Sequence, residues 1–380
     1  MTHLIETYKR FPVEFKRGEG VYLYDDFDKR YLDFTSGIGV CNLGYNSQVL
    51  NTCLKAQIDM LWHSPNIYES TLQEEVASYL SDDNRYRTFF CNSGAEANEA
   101  AIKLVRKHTN KEKIITFNQS FHGRTFASMT ATGQGKIHDG FGTLLNGFHY
   151  APYNDSEALK ELVDEDTAAI MLEIIQGEGG VIPANKDWLQ TIQKLCNEYG
   201  CLLVVDEVQT GIGRTGLLYS YQHYELQPDI ITLAKGLGNG LPVGAMLANT
   251  HVSKTFGYGS HGSTFGGNRL SLTVAKEVLK TTRKQTFLDD VRQKGDFALS
   301  YLKNELTHEA CVQDIRGKGL MIGIELNDDV LPIIERLMQR GLLVLQAGPK
   351  VIRLLPPLII EKKELENGLE IIVEEIKQHS

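Results

Sequence analysis

The segment TLAKGLGNGLPVGA, residues 232–245, sets Lys235 directly behind an apolar run and ahead of four glycines and a proline. A lysine at the mouth of a buried strand is desolvated. Burial disfavours its ammonium, draws its pKa below the usual value of about 10.4 and leaves a neutral amine that can attack an aldehyde. Other segments carry groups such an amine could work with. In FFCNSGAEANEAAIKLVRK (89–107) an apolar run leads through Ser93, Gly94 and Ala95 into a helical pattern, so these small residues lie at a helix amino terminus. Free N–H groups there attract an anion such as phosphate, although Ser93 also reads as a plain N-cap. QSFHGRTFAS (119–128) offers an aromatic, an imidazole and an arginine at a strand exit, able to stack on a flat ring and grip a carboxylate. Taken singly, Phe121 also suits a core and Arg124 a surface.

Two carboxylates complete the set. EIIQGEGGV (173–181) puts Glu178 in a glycine-rich loop, and LLVVDEVQTGIGRTG (202–216) runs four apolar residues straight into Asp206. A carboxylate at the end of a buried strand needs a cationic or hydrogen-bonded partner, and ligands of open α/β sheets bind at such ends. The same stretch spells Gly211-x-Gly213-x-x-Gly216, the letters of a dinucleotide fingerprint. The Tyr-rich LLYSYQHYELQPD that follows is a poor helix, so the context this fingerprint requires is missing.

The elements that must position these groups follow from alternation of short apolar runs with helical patterns between about 70 and 250. Strands are expected at 87–91, 113–117, 168–175, 201–208, 229–234 and 243–248, in an α/β fold with a mainly parallel sheet. The link between the last two is too short for a helical crossover, which predicts that 243–248 runs antiparallel. After about 265 a long helical stretch and the runs GLMIGIEL, GLLVLQAG and VIRLLPP indicate a smaller α+β lobe.

Composition narrows the partners. The chain has 380 residues, 42% of them hydrophobic, and a net charge of −9 with scattered basic residues, which speaks against nucleic acid. Six cysteines show no C-x-x-C pair or zinc spacing, so no metal site is expected and the thiols suit a reducing compartment. No stretch reaches the ~20 apolar residues of a membrane span, and MTHLIETYKRFPVEF lacks an apolar leader core. A cytoplasmic protein with no membrane partner is the expectation.

Taken in order, NSGAEANEAAIK, FHGRT, QGEGG, DEVQTGIGRTG, LAKGLGNGLPVGA and HGSTFGGN resemble the class III aminotransferases of the fold-type I pyridoxal 5'-phosphate superfamily, and among them most the acetylornithine aminotransferases. The resemblance spans nearly the whole chain. It implies a mostly parallel central sheet of the seven-stranded type with one antiparallel strand, plus the smaller lobe. It also implies an amino-terminal segment (1–50) joining that lobe, a large cofactor-binding domain (51–265) and a carboxyl-terminal domain (266–380). By the same resemblance Lys235 would bind pyridoxal 5'-phosphate covalently and carry a proton between substrate and cofactor. Asp206 would pair with the pyridinium nitrogen, Gln209 would approach the ring hydroxyl, and Val208 would cover the ring face opposite Phe121. Ser93, Gly94 and Ala95 would bind the phosphate, and Thr264 would reach the phosphate of a second copy, making a homodimer with shared sites.

Substrate groups are implied likewise: Arg124 for the carboxylate far from the reacting amine, Arg353 for the α-carboxylate of glutamate or 2-oxoglutarate, Glu178 as the alternative partner of Arg353, and Ser263 within HGSTFGGN. The implied reaction moves the δ-amino group of N2-acetylornithine to 2-oxoglutarate by a ping-pong route, giving N-acetylglutamate 5-semialdehyde and glutamate, as in arginine biosynthesis. Other class III ω-aminotransferases, acting on ornithine, succinylornithine or 4-aminobutyrate, and a non-catalytic cofactor-binding regulator are the alternatives. Cys41 and Tyr45 depart from the family's usual alanine or asparagine and histidine, which bears on selectivity.

Overall fold

The computed structural model describes residues 3–81 and 84–378. Three short strands, β1 (Phe15–Glu19), β2 (Tyr22–Asp25) and β3 (Arg30–Asp33), form an antiparallel meander. The central sheet then uses β4 (Tyr86–Cys91), β5 (Lys113–Phe117), β6 (Phe148–Ala151) and β7 (Thr167–Leu172). After a small hairpin of β8 (Ile175–Gln176) and β9 (Ile182–Pro183) it is completed by β10 (Leu202–Asp206), β11 (Ile230–Leu233) and β12 (Gly244–Asn249). The spatial order is β4-β12-β11-β10-β7-β5-β6, and only β12 runs against its neighbours, as the short connection predicts.

Both faces of this sheet are covered, which is why its inner strands read as unbroken apolar runs. Alternate residues serve different cores. Ile170, Leu172, Leu203 and Val205 pack with Trp188, Leu189 and Ile192 of the helix Lys186–Tyr199. Ala169, Met171, Leu202 and Val204 pack with Ala100, Ala101, Leu104 and Val105 of the helix Gly94–Thr109. The edge strand β6 was not expected, because only Ala151 of its four residues is buried and its sequence lacks an apolar run.

The second core holds β13 (Val312–Lys318), β14 (Met321–Leu326), β16 (Leu345–Ala347) and β17 (Val351–Leu354), in the order β13-β14-β17-β16, under the helices Gln285–Leu306 and Lys362–Lys377. Three expected elements differ in detail. The run at 168–175 ends at Leu172, where Glu173 leaves the sheet. GLLVLQAG splits: β15 (Leu342–Leu343) pairs parallel with β3, while β16 pairs with β17. The helix Arg269–Thr282 buries Leu272, Val274, Ala275, Val278 and Leu279 in the large core, so the change of core falls later than 265.

No dinucleotide turn forms at Gly211–Gly216. No helix opens there; the next helical piece is a single tight turn, Ser220–Tyr224. Instead the segment delivers Arg214, fully buried, whose guanidinium donates to Leu320 O (3.0 Å), Pro356 O, Ser36 Oγ (3.2 Å) and Asn42 Oδ1 (2.7 Å). Among the described residues no helix is long and apolar enough to cross a membrane, and no cluster of His, Cys, Asp and Glu suits a metal.

Candidate active site

The carboxyl ends of β4, β5, β7, β10 and β11 open onto one cavity of about 430 Å³, a size that suits a cofactor and small substrate. Ser93, Gly94, Ala95, Phe121, Arg124, Glu178, Asp206, Val208, Gln209 and Lys235 all line it.

At one end the helix Gly94–Thr109 begins. Ser93 is its N-cap, with Oγ accepting from Glu96 N at 3.2 Å, while Glu96 Oε2 accepts from Asn92 N at 2.7 Å. The remaining first-turn N–H groups lack intrahelical acceptors and carry the positive end of the dipole, so they suit an anion. A Cβ on Gly94 would stand 2.8 Å from both methyls of Val208, and one on Gly123 would stand 2.9 Å from Ala95 Cβ. The missing side chains let the strand ends close round the helix terminus.

Asp206 is 3% exposed and fully engaged. Its Oδ2 accepts from Asn98 Nδ2 (2.9 Å) and meets His122 Nδ1 (2.8 Å), and its Oδ1 accepts from Val208 N (2.9 Å). That last bond turns the chain out of the strand, so β10 stops at Asp206 rather than at 208. Asn98 is fixed in turn by Thr232 Oγ1 at 2.7 Å. His122 therefore faces inward, not towards a ligand carboxylate. Burial disfavours its cation, but the hydrogen bond and charge of Asp206, helped by Glu173, outweigh burial and raise its pKa above the ordinary imidazole value. His122, expected as a group that could meet a ring or a carboxylate of the ligand, pairs with Asp206 instead, while Asn98 and Glu173 were not expected in the site. Glu173 had a legible signal, an acid ending an apolar run as Asp206 does.

Lys235 begins the tight turn Lys235–Leu237 with φ 43°, and lines the cavity. Its ammonium has no hydrogen bond or ion pair among the described residues. Burial lowers its pKa, opposed by Glu178 and reinforced by Arg353, the direction expected from the sequence.

Arg353, 2% exposed, lies behind the cavity wall. Its Nη1 donates to Glu178 Oε1 (2.6 Å) and to Gln209 Oε1 (3.1 Å), and its buried Nε has no partner. Burial raises the Glu178 carboxyl, but Arg353 more than offsets this and holds it below its usual range. Gln209 thus points its amide at the Glu178–Arg353 pair, with Nε2 3.5 Å from Glu178, as well as lining the cavity. Arg124 is exposed, sits 5.6 Å from the Phe121 ring centroid and has no carboxylate partner among the described residues.

Two expected residues stand apart. Thr264 is exposed and outside the cavity, and Ser263 Oγ is occupied by Gly266 N (2.9 Å) and Asn92 Nδ2 (3.2 Å). Cys41 and Tyr45 do not line the cavity either; Tyr45 OH donates to buried Asp33 at 2.6 Å, and Val40 is the neighbour that reaches the wall.

The aminotransferase class-III family profile matches residues 5–376. This chain is a class III aminotransferase. It is 54% identical over 372 residues to an acetylornithine aminotransferase of Bacillus cereus, covering 98% of this chain and 96% of that protein. Among solved structures, the aminotransferase resembles an N-acetylornithine aminotransferase from Stenotrophomonas maltophilia (TM-score 0.85, 36% identity, 98% and 97% of the two chains). It also resembles an ornithine aminotransferase from Toxoplasma gondii with partial occupancy of pyridoxal phosphate at the active site (TM-score 0.94, 30% identity, 98% and 92%). The aminotransferase fold is thus the fold-type I arrangement expected from the sequence.

Proposed function

We propose that this aminotransferase uses pyridoxal 5'-phosphate to transfer the δ-amino group of N2-acetylornithine to 2-oxoglutarate by a ping-pong route, as a homodimer. The observation that carries the reading is the convergence on one cavity of an unpartnered, desolvated lysine, a fully hydrogen-bonded acid and a helix terminus with room for an anion. That set fits the cofactor: Ser93, Gly94 and Ala95 for its phosphate, Asp206 for its ring nitrogen, Phe121 and Val208 for its ring, and Lys235 for its aldehyde. When bound, the cofactor supplies an electron-withdrawing ring that stabilises negative charge at the substrate carbon. Asp206 holds the ring nitrogen protonated. Lys235 Nζ would take the proton from that carbon and deliver it to the cofactor, so that the amino group stays behind when the product leaves.

Arg124, free of any protein carboxylate, takes the substrate carboxylate remote from the reacting amine. Glu178 masks Arg353 while the ω-amine is bound and yields it to the α-carboxylate of glutamate or 2-oxoglutarate. The assignment to N2-acetylornithine leans on full-length relatives of that name in B. cereus and Streptococcus mutans. A second copy would cover the exposed Trp62, Ile67, Tyr68 and Phe265, and bring Thr264 to its partner's phosphate. The aminotransferase would divide into three parts, 1–50, a large part that runs from 51 through the helix Arg269–Thr282, and the remainder to 380, with the first joining the last through β3 and β15. Six free thiols fit the cytoplasm.

The test is an absorbance scan of the reconstituted protein given one amine at a time without 2-oxoglutarate. Bleaching of the visible band should be fastest with N2-acetylornithine. Faster bleaching by ornithine, succinylornithine or 4-aminobutyrate would reassign the substrate, and no bleaching by any amine would favour a binding regulator. Within this reading, Arg124→Lys lowers kcat/KM by about 10- to 100-fold for both carboxylate substrates, since a point charge cannot replace a planar fork. Unchanged steady-state constants in that variant would take Arg124 out of the site.

A further inference from the structure

Glu173 is a buried carboxylate that the assignments above leave without a task. It follows β7 much as Asp206 ends β10, is 6% exposed and opens onto the cavity. Its two oxygens face two different loops: Oε2 accepts from Phe121 N at 3.0 Å, and Oε1 accepts from Gly177 N at 3.3 Å. Phe121 leads into Arg124, and Gly177 immediately precedes Glu178, the partner of Arg353. Tyr153 OH, donating to the Glu173 carbonyl at 2.7 Å, fixes the backbone from a third side.

We propose that Glu173 is a positioning residue that clamps the loop carrying Arg124 to the loop carrying Glu178, and releases one of them when it takes up a proton. The roles of those two loops rest on the function proposed above; the clamp itself rests on the two hydrogen bonds.

An ionised carboxylate accepts on both oxygens. A neutral acid places an O–H on one, which leaves that oxygen a much weaker acceptor for an N–H, so one anchor loosens. Burial raises Glu173 to about 7, against the pull of His122 and with the push of Asp206, while the two N–H donors favour the anion. Lys235 beyond β11 and the phenol of Tyr153 are the other titratable groups facing it. The clamp is therefore closed above about 7 and opens as the pH falls through it. With Gly177 held, exchange of Arg353 between Glu178 and a substrate carboxylate is confined to side-chain motion. Substrates that need both arginines depend on this most.

The experiment is hydrogen–deuterium exchange on the pyridoxal-phosphate-reconstituted protein, followed in peptides spanning 119–125 and 175–181 at pH 6 and pH 8 and corrected for intrinsic rates. The wild type should lose about tenfold protection in at least one segment on going to pH 6, and Glu173→Gln, whose amide accepts on one side only, should lack that protection at both. In kinetics, Glu173→Gln should raise KM for glutamate about tenfold, leave KM for the ω-amine within about threefold and lose the rise in kcat/KM near pH 7. Equal protection in wild type and variant, protection in the wild type that does not change with pH, or a rise near pH 7 that persists in Glu173→Gln, would overturn the clamp. A wild type that exchanges as expected yet bleaches with no amine would sink the proposed function and leave the clamp standing.

Discussion

Lys235→Ala should abolish turnover, with kcat falling by about 10⁴-fold or more in either direction of transfer, because in the proposed mechanism one side chain is both the attachment point for the cofactor aldehyde and the base at the substrate carbon. Stability should hardly change. The ammonium makes no hydrogen bond or ion pair among the described residues, and its burial penalty disappears with it. The measurement pairs a glutamate-formation assay with a thermal melt. A variant that folds, binds pyridoxal 5'-phosphate and retains the wild-type rate would remove Lys235 from the chemistry.

Asp206→Asn should cost about 10³-fold in kcat, since the side chain keeps its shape but loses the charge that, in the proposed mechanism, holds the ring nitrogen protonated. Folding suffers as well. The new amide confronts the donors of Asn98 and His122, a mismatch worth about 1–3 kcal/mol. His122 gives a second readout. Asp206 is what lifts its pKa against burial, so in the variant burial prevails and the imidazole titrates below its ordinary value. In the wild type the raised value means that His122 adds stability below about pH 6.5, lost as the pH rises through the higher folded pKa. Asp206→Asn should flatten that loss. An NMR titration that leaves His122 where it was would show that Asp206 does not control it, and turnover within tenfold of wild type would exclude Asp206 from the ring nitrogen.

What was legible in the sequence was what short range and burial dictate. The buried strands β7 and β10 are apolar on both faces and could be read directly, and the ten-residue link ahead of β12 forced its direction. Lys235 and Asp206 stood out because a charge at the end of an apolar run violates burial unless it has a purpose. Illegible were the directions side chains take once distant partners arrive. His122 turns inward because Asp206, 84 residues on, accepts its ring nitrogen, and Gln209 turns to Arg353, 144 residues on. The same FHGRT segment thus sends neighbouring residues to opposite sides, Arg124 outward and His122 into the core.

The buried guanidinium of Arg214 bears on when the site comes into being. Its acceptors lie 106 and 142 residues downstream and 172 and 178 residues upstream, so no local nucleus supplies them. The side chain that ties the turn after Asp206 and Gln209 to the rest of the molecule therefore finds its acceptors only after segments from both ends of the polypeptide have met around it. Contacts of such separation form slowly, because loop closure must precede their reward. A growing polypeptide that has not yet reached Pro356 already contains every residue of the cavity wall but lacks the knot that sets its last turn. Competence to hold the cofactor is, on this topology, among the last properties the folding molecule acquires.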